Sequence, residues 1–361
     1  MRFPEFSGEW ESVRLGDVCK FFSGGTPSST NKDFYDGDIP FIRSGEIHSS
    51  STELYISEAG LNSSSAKIIE QGDLLLALYG ATSGDIAISK IKGAINQAIL
   101  CIRTNHDNFF LKSCWEKHCR KLLQTYLQGG QGNLSADIVK SIKISFPSCL
   151  EQKKISGLLA LVEERIETQK KIIEKYESLI RGIYHSVFNR QASTLQLKDV
   201  VSVVKGKQVN GEELLEYGKY YVMNGGTEPS GYLDVCNTPS NTISISEGGN
   251  SCGYVQYNTE PFWSGGHCYS LIQKEQSVNY QYLYHFLKYK ERDIRALRIG
   301  SGLPNVQKKD MERFEIKVLP MEQQNRVAEI LDDMSAKCDL EKRILQGWQS
   351  QKSFLLRNLF I

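Results

Sequence analysis

The most regular pattern in the chain is a stripe of apolar residues between positions 151 and 188. Its members recur at spacings of four and three, with one interruption at Gln169, and charged residues fill the other faces. The stripe consists of Ile155, Leu159, Val162, Ile166, Ile173, Tyr176, Ile180, Ile183 and Val187. A heptad repeat of this kind predicts a long helix that packs along its length against another helix.

A second stripe with the same spacing lies 172 residues later and supplies the partner. Its apolar members are Val327, Leu331, Met334, Cys338, Leu345, Trp348, Leu355 and Leu359. Glu341 stands at the position of Gln169, and each stripe follows a predicted strand that ends in proline, at Pro147 or Pro320. We therefore expect a globular segment and a long helix, followed by the same pair again.

The globular segments carry matching series of predicted elements. In the first, short apolar runs predict strands over 39–43, 73–78, 85–89, 97–103 and 142–146, and an amphipathic pattern predicts a helix over 109–127 that ends in Gly129-Gly130. In the second, strands are predicted over 221–223, 242–246, 267–273 and 314–319, and a helix over 279–297 that ends in the loop 300–302. We align Tyr221 with Phe41, Thr242 with Asp73 and His267 with Gln97.

These repeats predict an α+β protein with two mixed α/β domains, at 1–147 and 191–319, and two long helices, at 148–190 and 320–361. To bury its stripe, the second helix must run back along the first, so the helices should form an intramolecular antiparallel coiled coil. About 40 residues of helix span ~60 Å, which would place the two domains at opposite ends of a rod with a pseudo-twofold axis. Duplex DNA with two separated half-sites suits such a layout.

Composition limits the function more weakly than the repeats do. The 361 residues carry a formal net charge of +1, which excludes neither a basic face nor an acidic one. Nine cysteines without a CxxC pair indicate reduced thiols, and no signal peptide or membrane-length apolar run is visible. We expect a soluble cytoplasmic protein.

The candidate binding residues lie on glycine-rich loops that follow the predicted strands. Small polar and basic side chains there can hold phosphates and read base edges. In the first domain the candidates are Ser23, Gly24, Gly25, Thr26, Arg43, Gly80, Thr82, Ser83, Gln97 and Asn133. In the second domain they are Lys205, Lys207, Asn224, Gly249, Asn250, Ser251, His267 and Lys308. Each alone could be an ordinary turn residue, whereas the matching sets favour contact with a ligand.

Catalytic and metal-binding alternatives are weaker. Cys114, His118 and Cys119 have no fourth ligand at a suitable spacing, so we interpret them as structural and predict no metal site. Asp310 with 315–317 faintly resembles a nuclease core, but the other repeat does not share it. No Walker-type loop and no glycine-rich methyltransferase loop is present. We predict no catalytic residue and no cofactor in this chain.

The whole chain resembles the specificity subunit of type I restriction–modification systems. The resemblance depends on the order of the parts and on short stretches that occur at matching positions. These are 8–11 leading into 15–17, the loop 24–27, 38–43, 93–97, and Phe146-Pro147 with Glu151-Gln152. The second copy has Gln323-Gln324 at the register of Glu151-Gln152.

Membership of this family implies two target-recognition domains that each read half of a split, asymmetric sequence in double-stranded DNA. It implies that the helices set the gap and dock two methyltransferase (modification) subunits, to which two restriction (motor–nuclease) subunits can be added. S-adenosylmethionine, ATP and magnesium would then belong to those partners. The rival hypothesis is a coiled-coil protein–protein scaffold that carries two α/β modules and has no role with DNA.

Overall fold

The computed structural model describes residues 2–126, 134–274, 277–300 and 304–360, with side chains omitted for 119–126. The chain divides into two compact units. Unit 1 comprises 1–169 and 344–361, and unit 2 comprises 170–343. Among the described residues, no helix combines the length and hydropathy that crossing a membrane requires.

Unit 1 is a mixed α/β unit whose strands form three antiparallel or mixed sheets. Its strands are Glu11–Arg14 (β1), Cys19–Ser23 (β2), Ile39–Ile42 (β3), Tyr55–Ile56 (β4), Lys67–Ile69 (β5), Leu74–Ala77 (β6), Ile86–Ile88 (β7), Gly93–Ile95 (β8), Ile99–Thr104 (β9) and Lys143–Phe146 (β10). Its helices are Leu15–Val18 (α1), Glu58–Asn62 (α2), Asn108–Tyr126 (α3), Ala136–Ser141 (α4) and the first part of Cys149–Phe188 (α5). The predicted strands are confirmed to within two residues at either end.

The sheets of unit 1 enclose two apolar layers. The main sheet has the order β2-β9-β6-β7, a second has β4-β3-β8-β5, and β1 pairs with β10. One face of the main sheet packs with α3, α5 and the end of the chain around Leu74, Phe110 and Trp115. Its other face packs on the second sheet around Leu75 and Cys101. The helix predicted to end in Gly129-Gly130 is described as far as Tyr126, and the predicted glycine end lies outside the described residues.

Unit 2 repeats the order of the main sheet, whereas its second sheet has three strands among the described residues instead of four. Its strands are Ser193–Gln196 (β11), Val201–Lys205 (β12), Tyr220–Met223 (β13), Tyr232–Leu233 (β14), Thr242–Ser246 (β15), Val255–Asn258 (β16), Trp263–Ser264 (β17), Cys268–Gln273 (β18) and Glu315–Val318 (β19). Its helices are Leu197–Val200 (α6), Tyr280–Tyr289 (α7), Glu291–Ala296 (α8), Lys308–Glu312 (α9) and the first part of Met321–Leu359 (α10). The main sheet β12-β18-β15-β16 has the same order as β2-β9-β6-β7, and β11 pairs with β19 as β1 pairs with β10.

Strand pairing corrects two of the predicted equivalences by one residue. Val222 and Met223 lie beside 263 and 264 in parallel register, as Phe41 and Ile42 lie beside 94 and 95. Val222 therefore corresponds to Phe41, and Asn224 corresponds to Arg43. Likewise Ser246 pairs with Cys268 as Ala77 pairs with Ile99, which aligns His267 with Ala98 rather than with Gln97.

The helix predicted over 279–297 is two helices. Lys290, with φ −89° and ψ 10°, is both the last cap of α7 and the first cap of α8. Ile294 of α8 is completely buried in the core of unit 2. Leu287 and Ile294 are two helical turns apart, so the apolar spacing continues across the break and the sequence pattern alone predicted one helix. The predicted end at 300–302 lies partly outside the described residues.

The two heptad stripes face the interior. Every member is buried or half-buried, whereas the intervening positions are mostly exposed. In unit 1, Ile155 and Leu159 near the start of α5 share a core with Leu355 and Leu359 near the end of α10. In unit 2, Ile183 near the end of α5 packs with the start of α10. Within each unit the two helices thus run in opposite directions.

Candidate nucleic-acid interface

Three loops of unit 1 meet at one end of the main sheet. Because its strands are antiparallel, the ends of β2 and β6 lie beside the starts of β9 and β7. The loop after β2 contacts the loop before β9, since the amide of Gly24 donates to the carbonyl of Asn96 at 3.2 Å. The turn after β6 contacts the same loop, because the amide of Leu78 donates to the carbonyl of Ala98 at 2.8 Å. Ser23–Thr26, Gly80–Ser83 and Gln97 are thereby brought together.

Unit 2 has the same convergence. The amide of Gly206, after β12, donates to the carbonyl of Cys268 at 2.8 Å, and the amide of Glu247, after β15, donates to the carbonyl of His267 at 2.9 Å. The backbone amide of His267 in turn donates to Asn224 Oδ1 at 3.1 Å. The candidates from 205 to 267 therefore lie around one sheet end.

The turn after the third strand of each main sheet has the same backbone in both units. Gly80 and Gly249 both have φ of +74°, while Gly84 and Gly253 have φ of +86° and +83°. Glycine is favoured at all four positions because other residues are strained in the left-handed region. The turns even share a side-chain bond: Ser83 Oγ donates to the carbonyl of Leu78 at 3.0 Å, and the corresponding Cys252 thiol donates to the carbonyl of Glu247, also at 3.0 Å.

The close packing of the loop after β2 explains its glycines. A Cβ on Gly24 would lie 1.7 Å from the carbonyl oxygen of Ile95, and one on Gly25 would lie 2.7 Å from Ser65 Cβ. Thr26 Oγ1 donates to Gln97 Oε1 at 2.6 Å, and both side chains are exposed. This bond orients the Gln97 amide so that its nitrogen remains a donor toward solvent.

Arg43 is engaged within the unit. Its guanidinium donates to both oxygens of Glu46 at 3.1 Å and to Glu53 Oε2 at 2.6 Å. Partial burial would raise the pKa of Glu46, but the bonds from Arg43 and from the backbone of Glu53 outweigh it and lower the pKa to about 2. Arg43 thus stabilises the 43–53 loop and is 41% exposed.

Sequence reasoning missed two carboxylates at these sheet ends, Asp85 and Glu247. His48 Nε2 lies 2.9 Å from both carboxylate oxygens of Asp85, beside the turn of unit 1. In unit 2, Glu247 Oε1 accepts from Lys205 Nζ at 2.7 Å and from the hydroxyl of Tyr269 at 2.9 Å. Burial and the neighbouring carboxylate raise the pKa of Tyr269. Leu78 occupies the position of Glu247 in unit 1, so no shared pattern could have indicated the carboxylate.

The remaining candidates lie less centrally. Lys207 is exposed, and Asn250 and Ser251 lie on the turn that follows Glu247. Lys308 begins α9 and lies 3.6 Å from Glu312. Asn133 lies outside the described residues. Among the residues that are described, no group of three His, Cys, Asp or Glu side chains is placed to hold a metal.

Two copies of one α/β fold, each with a polar loop cluster at the same sheet end, define a chain with two related recognition surfaces. The family model for the type I restriction modification DNA specificity domain matches residues 7–178 and again 190–347. This chain belongs to that family.

Related proteins match over different shares of their length. The MjaVIII specificity subunit of Methanocaldococcus jannaschii is 21% identical, and the match covers 99% of this chain and 93% of that protein. A putative type I specificity subunit of Mycoplasma genitalium is 25% identical over 63% of this chain and 64% of its own length. The crystal structure of a type I S subunit from M. genitalium superposes with a TM-score of 0.77, 18% identity, and coverage of 100% and 99%. This last likeness establishes the fold.

Proposed function

We propose that this chain is the DNA-recognition subunit of a type I restriction–modification complex, in which each unit reads one half of a split duplex target. The observation that carries the proposal is the repeated sheet end: the same turn backbone, with the same positive-φ glycines, presents different side chains in the two units. A shared scaffold with different side chains suits a target whose two halves differ in sequence.

The exposed side chains have the chemistry that base and phosphate recognition requires. Amides such as that of Gln97 bind adenine edges, and lysines bind guanine or phosphate. The Thr26 bond holds the Gln97 amide in one orientation, which lowers the entropy lost when it binds. In unit 2, Asn224 and Lys207 contribute the corresponding polar and basic groups.

We further propose that the chain is non-catalytic and acts in the cytoplasm, where it assembles with two modification subunits and, in some complexes, two restriction subunits. S-adenosylmethionine, ATP and magnesium would be bound by those partners. Exposed apolar residues on the long helices support protein docking. Leu161 is 61% exposed, Leu179 47%, Leu340 51% and Phe354 51%. A docked subunit that covered these side chains would remove apolar area from water.

Salt dependence distinguishes DNA recognition from a scaffold without a DNA role. Binding to a cognate duplex should weaken linearly in log–log form as salt rises, with a slope of about −0.9 per phosphate neutralised. The duplex can be found by mapping methylated adenines in cells with and without this chain. A chain that binds no duplex at low salt, and whose removal leaves the methylation pattern unchanged, would contradict the proposal.

An exchange of domains tests whether the two units read separate halves of the target. Replacing residues 195–317 with the corresponding segment of another family member should change one half of the methylated target and leave the other half unchanged. A matched replacement of residues 13–144 should change the opposite half. If either replacement changed both halves, the units would not read separately.

A further inference from the structure

One face of the main sheet is covered by packed apolar side chains in unit 1, whereas the same face of unit 2 borders a cavity. In unit 1 the cross-strand row Phe22, Cys101 and Leu75 belongs to an apolar layer between the sheets. The corresponding row in unit 2 is Val204, Ser270 and Ser244. The smaller side chains of that row leave a cavity of about 190 Å³, lined by Lys205, Gly206, Lys207, Ser264 and Ile272 among others.

The cavity contains a polar group with no partner. Ser270 is 3% exposed, and its hydroxyl has no hydrogen-bond partner among the described residues. Ser270 lies directly opposite Val204, so both side chains point to the same face of the sheet, and Val204 is 45% exposed there. A buried hydroxyl without a partner costs free energy, so the cavity wall favours a ligand that supplies a partner for it.

A lysine side chain also lies at the edge of the cavity. Lys205 is paired with Glu247 at 2.7 Å, whereas Lys207 has no carboxylate partner within the described parts of the chain. The backbone of Lys207 is fixed on both sides: its amide donates to the carbonyl of Ser264 at 2.8 Å, and its carbonyl accepts from Trp263 Nε1 at 3.0 Å. A hydrogen-bonded backbone thus presents the exposed Lys207 side chain at the edge of the cavity.

We propose that this cavity receives one phosphodiester group of duplex DNA, with Lys207 and Ser270 binding the phosphate oxygens. Val204 and Ile272, 45% and 38% exposed, would contact the adjoining deoxyribose. The apolar walls suit a sugar–phosphate unit better than a free anion. The inference depends on the proposed DNA-recognition function, and it assigns to unit 2 a backbone contact that unit 1 cannot make, because Phe22 fills the space and Gly25 stands at the position of Lys207.

Three substitutions test the site through equilibrium binding to the mapped duplex at several salt concentrations. Lys207→Ala should reduce the salt slope by about 0.9, since one phosphate contact is lost. Ser270→Ala should weaken binding about tenfold, equally for cognate and non-cognate duplexes, without lowering thermal stability, because the hydroxyl bonds nothing in the free protein. Val204→Phe introduces the unit 1 residue and should fill the cavity, with a loss at least as large.

Lys274→Ala is the matched control, because Lys274 is an exposed lysine of the same unit at the other end of β18. It should leave both affinity and salt slope unchanged. If the wild-type chain binds DNA and all three variants bind equally well, the phosphate site is wrong and the recognition function stands. Stabilisation of the wild type by inorganic phosphate with no effect of Ser270→Ala on DNA binding would also overturn the site, since it would then be a free-anion site. A wild type that binds no duplex overturns both.

Discussion

Two buried glutamines hold the same junction in both units, and their loss should be among the most destabilising polar substitutions in the chain. Gln152 Nε2 donates to the carbonyl of Pro147 at 2.9 Å, and its Oε1 accepts from the amide of Asp107 at 3.2 Å. Gln324, at the corresponding position, donates to the carbonyl of Leu319 at 2.7 Å and accepts from the amide of Asn279 at 2.8 Å. Each glutamine thus connects the start of a long helix with the residue that follows the last strand of its unit and with the residue that precedes α3 or α7.

Both glutamines are 1% exposed, so water cannot replace these bonds. Gln→Leu at either site would leave one backbone N–H and one backbone C=O unpaired, at a cost of about 1–3 kcal/mol each. We therefore expect a loss of roughly 2–4 kcal/mol from the unit that contains the substitution, after partial relaxation. Because the two sites belong to different units and share no partner, the double variant should show the sum of the two losses.

Hydrogen–deuterium exchange measures the stability of each unit separately in one sample. A chain of two units then need not be treated as a single two-state system. Gln323→Leu is the control, since Gln323 neighbours Gln324 but is exposed, and surface changes cost within about 0.5 kcal/mol. The reasoning fails if Gln324→Leu costs no more than Gln323→Leu. It also fails if Gln152→Leu weakens unit 2 as strongly as unit 1.

Two further predictions concern titratable groups on the domain helices α3 and α7 that bond to the long helices. Burial lowers the pKa of His285 from 6.5, against the bond of its Nε2 to Asp332 at 2.9 Å. The contribution of His285 to stability is complete above pH 6.5 and is lost as the pH falls below that value, because the unfolded chain then binds the proton more readily. The free energy of urea unfolding should therefore decline in acid, and His285→Gln should reduce this decline. An equal decline in the wild type and the variant would contradict this. In unit 1, Lys112 Nζ lies 2.6 Å from Glu163, and Lys112→Met should cost roughly 1–3 kcal/mol in thermal or urea unfolding. Adding Glu163→Gln should recover part of the lost stability, because it removes a carboxylate that has lost its Lys112 partner. If stability does not recover, the loss does not arise from the unbalanced charge.

The long helices and the repeat were predictable because they depend on periodicity. Burying one face of a helix against another requires apolar residues at a fixed spacing, and the stripe from Ile155 to Val187 meets that requirement without reference to any other part of the fold. The buried strands around Leu75 and Ile243 were predictable for a similar reason. Both stretches are short, and each is followed by a glycine-containing turn.

The details of the candidate site depend on contacts that a sequence pattern does not specify. The one-residue correction at His267 arises where Gly265-Gly266 stand at the positions of Asn96-Gln97, because glycines carry no side-chain alternation that could fix the register. Glu247 could not be identified either, since a single carboxylate at the end of an apolar strand indicates no partner until the fold places Lys205 and Tyr269 beside it. The cavity beside the row of Val204, Ser270 and Ser244 can be identified only when strand pairing places these three residues side by side.

The repeated turn offers a last test of whether backbone and side chains have separate roles in recognition. A Cβ added to Gly249 meets nothing within 4 Å, so Gly249→Ala costs only the strain of a positive φ, about 1–2 kcal/mol. Asn tolerates that conformation, and Gly249→Asn should therefore bind DNA nearly as the wild type does, whereas Gly249→Ala should bind more weakly.

At Gly253 the Cβ would lie 2.9 Å from the backbone of Arg295, so Gly253→Ala adds a clash to the strain and should be the most damaging of the three substitutions. Competition binding with targets altered in one half measures the order, and the loss should fall on the half read by unit 2. If alanine and asparagine at 249 behaved alike, the turn would not be selected for its backbone, and the identical φ values in the two units would have no functional meaning.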